Sequence, residues 1–141
     1  MGRRIDQFCE NLRQKLTMTD CGLDGLKAKI DSGVLTAERH VQSHLERVRE
    51  RIEQGRSRVT AAKTDVATWV QDRNAVSIDT IAAWKTKRDV EKLQGRADRA
   101  GRYAAATVEI ATAAIDEAEQ ASLEAWLTQA EADYAKSKPA V

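Results

Sequence analysis

Two histidines, His40 and His44, stand four residues apart, a spacing that puts both imidazoles on one helix face, where two nitrogens can share a divalent metal. Such a site needs a third and usually a fourth ligand, and Glu38 alone does not complete it. The pair is therefore expected as surface or interface histidines, with no metal. Cys9 and Cys21 form neither a CxxC pair nor a zinc spacing. They read as free thiols of a reducing compartment, serving as small buried side chains. The run Gly22-Leu23-Asp24-Gly25-Leu26-Lys27 resembles a phosphate loop superficially, but it has two residues between the glycines instead of four and no Lys-Ser/Thr pair after them. Carboxylates are numerous, yet on long exposed helices they act as solvated charge or as i, i+4 partners of Lys and Arg. No pattern supports acid-base or nucleophilic catalysis, and no cofactor is expected.

Trp69 and Trp84 invite a different chemistry, since an exposed Trp anchors interfaces. Either both plug a local seam or both form a knob that docks on a partner, while Trp126 reads as core. Charge is segregated along the chain. Residues 85 to 102 hold seven cations against three carboxylates, and residues 45 to 63 hold six against three. Residues 103 to 134 carry seven carboxylates and no Lys or Arg. Trp69, Trp84, Arg56, Arg58, Arg96 and Arg99 are accordingly the candidate interaction surface. Such a division suits association of one copy's acidic part with another's basic part, or contact with an anionic membrane surface or nucleic acid.

The elements that position these residues follow from composition and period. The 141 residues suit one domain. Charged residues make up 32%, aromatics 4%, and the single proline is Pro139, a composition that specifies long helices rather than sheets. The fold class expected is all-α: a long antiparallel, coiled-coil-like helical hairpin with one or two short N-terminal helices packed at its open end, forming a single elongated domain over residues 1 to 141. A short amphipathic helix is expected at residues 2 to 16, with Ile5, Phe8, Cys9, Leu12 and Leu16 on its apolar face and Arg3, Arg4, Arg13 and Lys15 beside it. Residues 17 to 22 interrupt it, and a second short helix spans about 20 to 31 before Ser32-Gly33 stops or kinks the chain.

From about 36 to 74, Leu45, Ile52, Val59 and Val66 fall at one heptad position and Val41, Val48, Gly55, Ala62 and Trp69 at the other. Asn74 to Ser77 closes that helix, Ser77 caps the next, and a last helix runs from 78 to 136. A turn between Val76 and Ser77 makes partners of residues whose numbers sum to about 153. Trp69 then faces Trp84, Leu45 faces Val108, Ile30 faces Leu123, and Leu26 faces Leu127. Gly55 and Ala62 lie near Gly95, Ala97, Ala100 and Gly101, a close approach that buries little area. A helical cluster with most of the large side chains forms at the open end.

Net charge is +1, no apolar leader follows Arg3 and Arg4, and no segment is long enough to span a bilayer. A cytoplasmic, non-enzymatic scaffold or adaptor that forms homo-oligomers, and that also has room for a different protein partner, is the leading expectation. The alternative is a peripheral anionic-membrane or nucleic-acid binding module that uses the basic middle and the N-terminal helix.

Overall fold

The computed structural model describes residues 2–32 and 34–137, with side chains from Asp6 to Asp31 and from Ala37 to Ser137. Gly33, expected to stop or kink the chain, and Pro139 lie outside the described residues, as do the side chains of Arg3, Arg4 and Ile5. The described residues form four helices and no strand: α1 (Gly2–Ser32), α2 (Val34–Ala75), α3 (Ile78–Thr86) and α4 (Val90–Ser137). The all-α class follows from the composition, and no helix among them is long and apolar enough to cross a membrane.

Two boundaries differ from those read in the sequence. The first is α1, which continues through Thr17 to Gly22 as one helix of 31 residues. Gly22 does not turn the chain; it lies inside the helix, and a Cβ there would make an ordinary contact with the His44 ring at 3.6 Å. The second is the long last helix, which breaks after Thr86. Arg88 takes a left-handed conformation with φ 53°. The Arg88 N–H donates to the Lys85 carbonyl at 3.2 Å and the Asp89 N–H to the Trp84 carbonyl at 2.9 Å. These are the two bonds of a Schellman C-cap, in which Gly usually holds the left-handed position. Asp89 then caps α4, its Oδ1 accepting from the Lys92 N–H at 3.2 Å. The turn before α3 is as read: Ser77 Oγ accepts from the Thr80 N–H at 3.1 Å.

The inserted turn changes the pairing. Trp69 stacks on Tyr103, with ring centroids 5.5 Å apart, and does not face Trp84. Leu45 packs in a cluster with Leu123, whereas the expected register gives it Val108. At Gly95 the nearest atom to an added Cβ belongs to Arg99 of the same helix, 3.5 Å away, so no second backbone approaches there.

The chain divides into two compact units, unit 1 comprising Met1–Asn11 and Arg56–Ala111 and unit 2 comprising Leu12–Gly55 and Thr112–Val141. Unit 2 contains the apolar core expected at the open end. Leu26 from α1, Val41, Leu45 and Val48 from α2 and Leu123 from α4 are buried together, with Ile30, Ile52, Trp126 and Leu127 against them. Each large apolar side chain fully buried in this way contributes about 1.5–3 kcal/mol. Among the described residues of unit 1 the buried apolar ones are alanines, Ala62 and Ala106. On the exposed side of α2 the hydroxyls of Thr60, Thr64 and Thr68 each bond the carbonyl four residues back, so these polar groups are satisfied within the helix.

Candidate functional site

Polar chemistry is concentrated at two places, one in each unit. In unit 2, Asp116 and Glu119 sit at i, i+3 on α4 and point the same way; both are buried. The Lys15 ammonium from α1 donates to Asp116 Oδ1 at 2.6 Å. From α2, Arg51 Nη2 donates to Glu119 Oε2 at 3.2 Å and lies 3.5 Å from Asp116 Oδ1. His44 Nε2 is 2.6 Å from Glu119 Oε1. Two cations, Lys15 and Arg51, thus face the two carboxylates, and His44 is a further partner of Glu119. Both oxygens of Glu119 are engaged, so the arrangement clamps three helix segments together. No buried side-chain nitrogen or oxygen among the described residues lacks a partner, as a low-dielectric site requires.

The network redirects two expectations. His44 works as the partner of a carboxylate and not with His40, and among the described residues no group of three His, Cys, Asp or Glu is placed to hold a metal ion. Part of the acidic stretch is also taken up inside the chain. Glu124, farther along α4, accepts from Arg49 at 2.9 Å and from Gln120 at 3.1 Å; the Arg49 guanidinium, helped by Gln120, holds its carboxyl below the usual glutamate range. Cys9 and Cys21 are free thiols, but both are exposed and not buried. The one signal in the sequence for the network was the i, i+3 spacing of Asp116 and Glu119 on the line of α4's apolar residues.

In unit 1 the candidate residues separate. Trp69 is half-buried in its stack with Tyr103, beside a surface hollow lined by Asp65, Thr68, Asp72, Arg99 and Arg102. Arg99 Nε lies 3.9 Å from Asp72 Oδ2, so this arginine is partly neutralised. Trp84 is half-buried on α3 with the Lys92 ammonium 5.8 Å from its ring centre, a cation–π contact. Arg58 and Arg96 are exposed, as is Arg56. The two tryptophans therefore do not make one knob. Trp69 belongs to a seam, and Trp84 belongs to α3 and the basic turn after it. Comparison of the chain with protein-family models, with curated proteins and with solved structures finds no match.

Proposed function

We propose that this chain is a non-enzymatic helical scaffold or adaptor that self-associates, with α2 and α4 antiparallel as a hairpin and association covering the apolar flank of unit 1. The observation that carries the reading is the apolar surface that unit 1 leaves partly in water, since among its described residues the buried apolar ones are Ala62 and Ala106. Half-buried Val59, Val66, Leu93, Val108 and Ile110 offer the apolar contact. Charge plays a smaller part than its segregation along the sequence implied, because Asp116, Glu119 and Glu124 already have cationic partners in their own chain.

Sedimentation equilibrium over a range of micromolar concentrations tests this. Particles heavier than one chain are expected. A helical particle of 15.6 kDa at every concentration would overturn the reading.

A further inference from the structure

The helix α3 is unusual in this chain. Its nine residues include Ile78, Ile81, Ala82, Ala83 and Trp84, yet none is buried. Ile78 is 85% exposed and, just past the following turn, Val90 is 71% exposed. Positions 78, 82 and 85 share one face at i, i+4 and i+7, so Ile78, Ala82 and Lys85 present together. The turn adds Lys87 and Arg88, both exposed, and Arg88 is fixed in its left-handed conformation. Among the described residues none of Lys85, Lys87 and Arg88 forms an ion pair. Asp89, which could neutralise them, is half-buried; it caps α4 and pairs with Lys92 at 3.6 Å. Asp79 stands at the far end of α3, next to the helix N-terminus that its charge suits.

We infer that α3 and the turn after it form a contact surface for an anionic lipid bilayer. Apolar side chains projecting beside unpaired cations, with a Trp at the boundary, are what an interfacial helix requires. The alkyl groups enter the headgroup layer while the ammonium and guanidinium groups meet lipid phosphates and carboxylates. A nucleic acid would use the cations but has no use for Ile78 or Val90 standing in solvent, which is why a lipid surface fits better. This surface is distinct from the apolar flank assigned to self-association and does not depend on it, although several copies of a short contact in one particle would bind more tightly than one.

The test is cosedimentation of the full chain with vesicles of phosphatidylcholine alone and of phosphatidylcholine with phosphatidylserine, at low and physiological salt. Binding to the anionic vesicles, weakening as salt rises and absent from the neutral ones, is expected. The pair Lys85→Gln and Lys87→Gln should weaken it roughly tenfold or more, and Ile78→Asp should weaken it comparably. Helicity by circular dichroism should be unchanged, since all three residues are exposed. Absence of anionic-vesicle binding at low salt would overturn the proposal. So would binding that survives Ile78→Asp while a single-stranded or duplex oligonucleotide binds more tightly, which would assign the cations to nucleic acid.

Discussion

Units 1 and 2 draw on the same kinds of helix but are held together differently. Unit 2 contains six of the eight buried apolar residues among those described, including Val41 and Val48 with no exposed surface, and both buried carboxylates. Unit 1 contains the other two, both alanines, and relies on the Trp69–Tyr103 stack and on side chains that remain half in water. The difference comes from side-chain size along the seam. Where α2 offers Val41, Leu45 and Val48, neighbouring helices bury branched groups against them. Where the seam passes through Ala62 and Ala106, little apolar area leaves water for each residue ordered, and ordering costs roughly 1–2 kcal/mol per residue in backbone entropy. A region built in this way gains most from a second surface.

Truncations in the two units should break the comparison most visibly. Leu45→Ala, in unit 2, is expected to cost about 2–5 kcal/mol in urea unfolding. Val66→Ala, at the same heptad position in unit 1, should cost less than about 1 kcal/mol at a concentration where the chain is monomeric. Equal losses would mean that the alanine seam is as tightly packed as the leucine cluster. Next in size is Glu119→Gln, which leaves Arg51 and His44 beside a neutral amide. A loss of about 1–3 kcal/mol is expected, and a loss near zero would show the clamp to be dispensable.

A smaller effect of opposite sign sharpens the account of the α3–α4 break. Arg88 holds a conformation that costs a side-chain-bearing residue about 1 kcal/mol relative to glycine. Arg88→Gly should therefore raise the thermal midpoint slightly, while weakening vesicle binding through the lost charge. The smallest effect belongs to the partly exposed Glu124. Because Arg49 holds its folded pKa below the unfolded value, its contribution is present above the unfolded pKa and lost as pH falls through the folded one. Stability of the Glu124→Gln variant should differ slightly from that of the unaltered chain at neutral pH, and the difference should vanish in acid.

These elements also show what could be read in advance. The heptads of α2, the Ser77 cap and the cluster of Leu26, Ile30, Leu123 and Leu127 come directly from side-chain period and hydropathy. The α3–α4 break was hidden because Arg88, and not Gly or Asn, holds the left-handed position. Asp89 before Val90 and Glu91 is the remaining cue, and the turn it marks shifts the partners of α2 along the last helix, so that Trp69 has Tyr103 as its neighbour in place of Trp84. The interruption expected in α1 failed for the converse reason, since Gly22 and its polar neighbours have the composition of a turn but lie within one continuous helix. Asp116 and Glu119 differ from solvated carboxylates only by their i, i+3 spacing on the line of α4's apolar residues, because their cationic partners lie on other helices. Of the candidate surface, exposure of Arg56, Arg58 and Arg96 was legible, whereas the open apolar face of α3 depends on what packs near it.

The central claim, that unit 1 is completed by a second copy while unit 2 is sufficient in itself, is tested most directly by amide hydrogen exchange at two protein concentrations, one on each side of the association midpoint. Protection of residues 59 to 70 and 93 to 108 should rise with concentration, while that of residues 41 to 52 stays constant at its already high level. Protection that is equal in the two units and independent of concentration would contradict the account.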